Sequence, residues 1–194
     1  EEEKPAITLE LNDDEKEILK DMMLLTAKPI LYICNVSEEQ LANAENDENV
    51  KKVKEYVKNE NSIAIPLCAK IEEELTSLEE ADKKEMLEAL GLKESGLDRV
   101  IRESYSVLGL MSFLTAGEPE VRAWTIKKGT KAPVAAGKIH SDIQRGFIKA
   151  EIVSYDDLIK EGSMNAAREK GLIRSEGKEY IMQEGDIVLF KFNV

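Results

Sequence analysis

The sequence is poor in the side chains that most often build metal and redox sites. Its 194 residues include one histidine, His140, and two cysteines, Cys34 and Cys68. The cysteines form no CxxC pair and each ends an apolar run, so we interpret them as reduced interior thiols. One histidine without a recognisable partner supports neither a metal centre nor a catalytic triad. No metal site is therefore predicted.

Long apolar runs are also lacking. The longest, 29–34 and 63–69, fall short of the roughly 18 residues that a membrane span needs, so we predict no membrane partner. The acidic start, Glu1 to Lys4, precedes no apolar stretch and therefore does not resemble a secretory signal. The first residue is not Met, which indicates a processed or truncated product. We expect a cytoplasmic protein.

A phosphate-binding loop is missing as well. The motif G-x-x-x-x-G-K-[ST] wraps phosphates with backbone N–H groups and a lysine. The nearest match ends in Gly137-Lys138, but Ala132 replaces the first glycine and Ile139 replaces the hydroxyl residue. By itself this chain is therefore predicted to be non-catalytic.

Charge is unevenly distributed along the chain. The formal net charge is −12, yet residues 1–110 carry 14 basic and 27 acidic side chains, whereas residues 111–194 carry 13 and 12. Between positions 121 and 150 a single aspartate stands against seven basic residues, which are Arg122, Lys127, Lys128, Lys131, Lys138, Arg145 and Lys149. Such clustering attracts phosphates locally, which predicts RNA contact. Trp124 and Phe147 lie among these charges and either stack on bases or belong to the core.

The first hundred residues predict a βαβ unit. Asn12 begins a helix that we expect to end near Ala27. Apolar runs at 30–34 and 63–68 predict strands buried on both faces, and a capping box at 37–40 starts the helix between them. The crossover makes the strands parallel, so both end at one edge of the sheet, where such sheets bind ligands. Two strands are too few for a stable sheet, and its exposed edge permits truncation-induced self-association.

The remaining pattern predicts a second, smaller domain. Amphipathic helices at 79–90 and 95–108 end at Gly91 and Gly109. Beyond them we predict one helix, at 133–140, and short strands at 110–115, 121–126, 147–153 and 187–192. A small sheet around one helix is an α+β arrangement. We place the domain boundary between Gly109 and Phe113.

Polar residues follow each strand of the βαβ unit. An Asn amide such as that of Asn35 both donates and accepts hydrogen bonds, so it can tie loops together and meet a purine edge. Two interpretations stay open. In one, the loops recognise a nucleotide base; in the other, Ser37 and Gln40 only cap a helix.

Four segments, in the same order and over nearly the whole chain, resemble the last part of YchF-type Obg-like P-loop ATPases. They are LLTAKPILYICNVSEE, SIAIPLCAKIEEEL, FLTAGEPEVRAWTIKKGTKAPVAAGKIHSDIQRGFIKAEIVSYDD and EGKEYIMQEGDIVLFKFNV. The resemblance implies the fold class α/β plus α+β: the C-terminal part of a G-type P-loop NTPase domain, followed by a β-grasp TGS domain. It assigns residues 1–27 to the end of a coiled-coil arm, 28–110 to the nucleotide domain and 111–194 to the TGS domain.

The resemblance also implies nucleotide binding. Related GTPases carry N-K-x-D where this chain has N-V-S-E at 35–38, and the family's departure shifts preference from GTP toward ATP. Carried over, the nucleotide-binding residues are Asn35, Val36, Glu38, Ala69 and Lys70. The implied cofactor of the full-length protein is ATP, or GTP, with Mg²⁺. None is expected on this chain, because the P-loop, the switch regions and the hydrolytic histidine lie upstream.

Two functional hypotheses follow. One is a fragment of a ribosome-associated ATPase that hydrolyses ATP or GTP and whose TGS domain contacts the ribosome through large-subunit RNA. The other is a non-enzymatic module in which the TGS domain binds RNA or protein and the α/β part is a scaffold. A G-x-x-x-x-G-K-[ST] motif upstream of Glu1 in the parent gene supports the first.

Overall fold

The computed structural model of the chain describes residues 4–58, 62–117 and 120–193. The chain divides into two units, Glu1–Leu108 and Gly109–Val194. The arm, nucleotide-domain and TGS boundaries stay predictions.

The first unit contains two strands and six helices among its described residues. The strands are β1 (Leu31–Asn35) and β2 (Ile63–Leu67). The helices are α1 (Asp13–Asp21), α2 (Glu38–Leu41), α3 (Glu48–Lys58), α4 (Ala69–Thr76), α5 (Glu80–Ala89) and α6 (Gly96–Val107). Short 3₁₀ turns lie at Ala6–Thr8, Leu25–Ala27 and Ala44–Asn46. None of the described helices is long and apolar enough to cross a membrane.

The two strands are parallel, as the βαβ pattern predicts, with Asn35 opposite Leu67 at their carboxyl ends. The expectation that both strands are buried on both faces is wrong for β1. Ile65 of β2 is fully buried, but Ile33 of β1 is 46% exposed. The reason is position: β2 packs against both α3 and α6, whereas β1 pairs with β2 and contacts α3 through the rings of Tyr32 and Tyr56.

The first helix is shorter than expected. It begins with the predicted capping box, in which Asn12 accepts a hydrogen bond from the Glu15 backbone and the Glu15 carboxylate accepts one from the Asn12 backbone. The predicted end near Ala27 is wrong, because the helix stops at Asp21. Met23 then adopts a left-handed backbone conformation, with φ of 51°, which an α-helix cannot include.

The described residues of the second unit form a five-stranded mixed sheet with helices on both faces. The strands are β3 (Leu110–Ala116), β4 (Val121–Lys127), β5 (Phe147–Ser154), β6 (Arg174–Glu176) and β7 (Asp186–Phe192). The helices are α7 (Ala132–Ile139), α8 (Ser141–Arg145), α9 (Tyr155–Glu161) and α10 (Met164–Glu169). The sheet order is β4-β3-β7-β5-β6, with β7 parallel to β3 and every other pair antiparallel.

The main core of this unit lies between the sheet and α7. Small residues of α7 (Ala132, Ala135 and Ala136) are fully buried against large ones from the sheet, including Phe113, Ile152 and Phe190. A separate cluster on the opposite face joins Val153 and Ile187 to Ala167 of α10. The four predicted strands and the helix at 133–140 are confirmed within two residues, whereas α8, α9, α10 and β6 were not predicted.

Gly96 provides a test of packing in the first unit. A Cβ atom at this position lies 2.7 Å from Leu67 Cβ and 2.8 Å from Glu72 Oε1, closer than such atoms approach. We therefore expect Gly96→Ala to lower the free energy of unfolding by about 1–3 kcal/mol, as overpacking does. Urea unfolding followed by far-ultraviolet circular dichroism measures the change. Gly177→Ala is the control, because its Cβ meets nothing within 4 Å; equal stability of both variants contradicts the prediction.

Candidate functional site

The loops that follow β1 and β2 are joined by two hydrogen bonds. The Val36 N–H donates to the Leu67 carbonyl at 2.9 Å, which extends the parallel ladder by one residue. The Ala69 N–H then donates to Asn35 Oδ1 at 3.1 Å. Because Oδ1 accepts this bond, Nδ2 is the remaining donor of the Asn35 amide. The two loops that the sequence predicts to be neighbours do lie side by side.

Glu38 and Lys70 connect the same loops through their side chains. Lys70 Nζ lies 2.5 Å from Glu38 Oε1, and the pair spans 32 residues of sequence. The hydrogen bond from Lys70 to Glu38 is the largest of the effects that raise the pKa of the Lys70 ammonium above its ordinary value, so the ammonium stays charged at neutral pH. Both side chains are accessible, 46% for Glu38 and 67% for Lys70. All five predicted base-contact residues therefore lie where β1 and β2 end and where α2 and α4 begin.

Local capping fixes the direction of the first loop. Ser37 and Gln40 form the predicted capping box, in which each side chain accepts a hydrogen bond from the other residue's backbone N–H. The Gln40 amide also donates to Asp47 Oδ2 at 3.1 Å. The helix cap and the joined loops are thus compatible, so the two interpretations of this segment do not exclude each other.

A cleft of about 360 Å³ opens beside Asn35. It is lined by β1 and its following loop, from Tyr32 to Val36, and by residues of the crossover that include Asp47, Val50 and Val53. Ala69 and Lys70 are not among its lining residues, so the cleft lies on the β1 side of the joined loops. Burial raises the pKa of the Cys34 thiol in this wall, which keeps the thiol protonated.

Glu72 is a site-supporting residue that sequence reasoning missed. It lies on α4, one turn after Ala69, and its two carboxylate oxygens accept hydrogen bonds from the Gly96 and Leu97 backbone at 2.7 and 3.0 Å. It therefore caps α6 and ties that helix to the second loop. The available signal was that the Glu72 carboxylate comes three residues after Ala69. Its partners, the Gly96 and Leu97 backbone, are more than twenty residues away and could not be identified from the sequence.

The seven basic residues of the second unit do not share one surface. One group lies at the end of β4: Lys127 is its last residue, and Lys128 and Lys131 follow it. The Lys128 N–H donates to the Gly109 carbonyl at 2.8 Å there. A second group lies toward the other end of the sheet and consists of Arg122, Lys138 and Arg145. At that end the start of β4 lies close to α7 and α8, because Thr115, which pairs with Arg122, lines the same groove as Ile139 and Ile143. Lys149 is half-buried on β5.

Salt bridges further separate these residues. Lys131 lies 2.5 Å from Glu179, Arg145 lies 2.9 Å from Asp142, and Lys149 lies 3.3 Å from Glu151. Arg122 is 4.0 Å from Glu120. Within the described part of the chain no acidic partner is found for Lys127, Lys128 or Lys138, and all three are exposed.

Base stacking by Phe147 is wrong, because this ring is only 5% exposed and packs against Phe190 in the core. Trp124 is half-buried against the same core. Its Nε1–H donates to Thr115 Oγ1 at 2.9 Å, and the Arg122 guanidinium lies 4.3 Å from its ring centre. The alternative that these aromatics are core residues is correct for Phe147 and largely so for Trp124.

Comparison with known proteins places these features in a family. The family model YchF-GTPase_C, described as a protein of unknown function, matches residues 110–193. "Ribosome-binding ATPase YchF" of Bacillus subtilis is 54% identical over 194 residues, which are 100% of this chain and 53% of that protein. "Obg-like ATPase 1" of Rattus norvegicus is 44% identical over 184 residues, 94% of this chain and 46% of that protein.

A solved structure agrees with the sequence relatives. The Schizosaccharomyces pombe YchF GTPase superposes with a TM-score of 0.83 at 37% identity, covering 97% of this chain and 50% of that one. This chain thus spans about half the length of its relatives. The resemblance drawn from the four segments is confirmed: residues 110–193 match the family's C-terminal domain, and the whole chain is similar to about half of each YchF-type relative.

Proposed function

We propose that the joined loops of the first unit are the base-recognition part of a nucleotide-hydrolysing protein, and that the second unit contacts ribosomal RNA. The hydrogen bond from the Ala69 N–H to Asn35 Oδ1 carries the first half of this proposal. It leaves Nδ2 of Asn35, for which the described residues provide no acceptor, at the carboxyl edge of a parallel sheet, where ligands of open α/β folds bind. A purine offers acceptors to such a donor.

We infer that the first unit is the C-terminal part of a G-type P-loop domain. Its sheet has two described strands, and apolar side chains on β1 and α1 are open to solvent, among them Ile33, Ile18 and Met22. Relatives about twice as long have additional chain that can add strands beside β1. The cytoplasm is the compartment that suits ribosome binding and two unpaired cysteines.

We assign the second unit as a β-grasp domain of the TGS type. Its sheet order places the last strand, β7, in the centre, parallel to the first strand, β3, and the hairpin partner β4 at one edge. One helix, α7, packs across the sheet between the hairpin and β5. This is the connectivity expected of a β-grasp fold.

The chain's donor set fits a base but not a triphosphate with its metal. The sequence has no P-loop lysine and serine or threonine, and no cluster of three acidic, histidine or cysteine side chains suits a metal in the described residues. Holding phosphates and Mg²⁺, and hydrolysing ATP or GTP, are therefore assigned to the rest of the full-length protein. If the rest of the full-length protein has no P-loop, the alternative function applies, and the protein is a binding module without catalysis.

Nucleotide affinity tests the base-recognition part. Without phosphate contacts we expect ATP to bind this chain with a Kd of about 1 mM or weaker. Titration of ATP into ¹⁵N-labelled chain should shift the NMR signals of the Asn35 side-chain amide and the Ala69 N–H, and in Asn35→Ala the Ala69 N–H signal should no longer shift on addition of ATP. Asn43→Ala, on the exposed turn after α2, is the control. Shifts that persist in Asn35→Ala, or micromolar affinity by calorimetry, contradict the proposal.

Charge reversal tests the RNA-contact part. The informative double variant is Lys127→Glu with Lys128→Glu, because neither lysine has an acidic partner among the described residues. Lys131 is left unchanged, since reversing its charge would also break its salt bridge with Glu179. Co-sedimentation with ribosomes across a salt series should show weaker binding and a log–log salt slope reduced by about 2, roughly one per lost phosphate contact. Lys160→Glu with Arg168→Glu makes the same charge change on exposed positions of α9 and α10. Equal loss in both double variants indicates nonspecific attraction and overturns the assigned surface.

A further inference from the structure

We propose that Tyr180 and Asp186 are positioning residues that hold the basic turn, residues 127–131, in the geometry that contacts RNA. The inference rests on the proposed function, since the basic turn is the proposed RNA contact, and it adds the residues that shape this contact without touching RNA. They act through the supporting loop, residues 177–185, which lies between β6 and β7. This loop is outside the basic stretch that the sequence indicates.

Backbone hydrogen bonds join the basic turn to the supporting loop. The Ala132 N–H donates to the Tyr180 carbonyl at 2.9 Å, and the Met182 N–H donates to the Thr130 carbonyl at 3.0 Å. The Met182 side chain is only 1% exposed and belongs to the main core of the second unit. The supporting loop therefore connects the basic turn to the core.

Asp186 fixes the end of the supporting loop. Its side chain is 2% exposed, and its Oδ2 accepts hydrogen bonds from the Tyr180 hydroxyl at 2.9 Å and from the Gln183 N–H at 2.8 Å. The Arg174 guanidinium lies 3.5 Å from Oδ1. Removing a carboxylate from water is costly unless it is paired and hydrogen-bonded. The loop conformation that supplies these partners is therefore strongly favoured.

Tyr180 links the buried carboxylate to the basic turn. Its hydroxyl donates to Asp186, while its backbone carbonyl accepts from Ala132, which directly follows the turn. Burial, followed by the hydrogen bond to Asp186, raises the pKa of the Tyr180 phenol, so the hydroxyl is protonated and can donate at neutral pH. Asp186 is the first residue of β7, the central strand of the sheet. Two hydrogen bonds thus connect the centre of the sheet to the turn.

The supporting loop also contains acidic side chains, which are engaged by other groups. Glu179 pairs with Lys131 at 2.5 Å, and the Glu184 carboxylate accepts hydrogen bonds from the Ser112 N–H at 3.1 and 3.2 Å. These contacts depend on the position of the loop. A displaced loop would move the basic turn and release Glu179 beside it, and both changes would weaken the attraction of phosphates.

The test removes single groups from this set of contacts in the full-length protein that carries the segment. Tyr180→Phe deletes only the hydroxyl, and Asp186→Asn keeps the shape while removing the negative charge. Each should weaken co-sedimentation with ribosomes about threefold, because affinity falls with the fraction of molecules that hold the turn in its binding geometry. Tyr155→Phe is the control, since it removes a hydroxyl from a half-exposed ring and should leave binding unchanged. If Asp186→Asn does not fold, Tyr180→Phe decides alone.

Two further measurements distinguish positioning from a general loss of stability. Hydrogen exchange followed by mass spectrometry should show faster exchange in Tyr180→Phe at 128–132 and 180–183, but not in β5. When Lys127→Glu and Lys128→Glu are already present, Tyr180→Phe should cause no further loss of ribosome binding. An effect exerted through unfolding would appear with and without the two lysines.

The outcomes separate this inference from the proposed function. If reversing Lys127 and Lys128 weakens binding but Tyr180→Phe and Asp186→Asn bind like the wild-type protein, the positioning role is overturned and the RNA contact stands. The role is also overturned if Tyr180→Phe weakens binding equally after the lysine reversal, or if it speeds exchange throughout the second unit. If the lysine reversal has no effect beyond that of its control, the RNA contact fails and the inference fails with it.

Discussion

The hydrogen bond between Asn35 and Ala69 is the contact on which the candidate site depends. Two parallel strands already bring their carboxyl ends together, so this bond adds little to folding, about 0.5–1.5 kcal/mol for a typical hydrogen bond. Its importance is geometric. It fixes which end of the Asn35 amide faces the second loop and which end is left for a ligand, and it aligns the start of α4, from which Lys70 reaches Glu38.

The sequence was most informative where structure is determined locally. Capping boxes at Asn12 and Ser37 depend only on residues three apart, and both form as predicted. The parallel strands follow from the long connection with a helical pattern between them, since a crossover of this kind joins parallel neighbours. The predictions for the burial of β1 and the length of α1 were wrong. An apolar run shows that a segment is suited to a protein interior, but it does not show that other elements pack against that segment. Ile33 and Met22 suit an interior and are exposed here.

Side-chain partners far apart in sequence account for most of what was missed. The positive charge between positions 121 and 150 is evident from composition, yet the return of α7 along the sheet carries Lys138 away from Lys127. Acidic residues from distant segments then engage part of the set, as Glu179 does with Lys131. A count of charges could not reveal that, among the described residues, Lys127 and Lys128 have no acidic partner while Lys131 pairs with Glu179.

The difference between paired and unpaired lysines also bears on the proposed contact of this acidic chain with RNA. Phosphate attraction falls off within a Debye length, about 8 Å at physiological salt, so the net charge of −12 governs encounter more than contact. Lys127 and Lys128, at the end of β4 and without an acidic partner in the described part of the chain, suit phosphate binding, whereas the acidic first unit opposes adsorption elsewhere. Such a charge distribution weakens nonspecific binding more than binding at the turn. It suits a protein that docks in one orientation on RNA better than one that coats it.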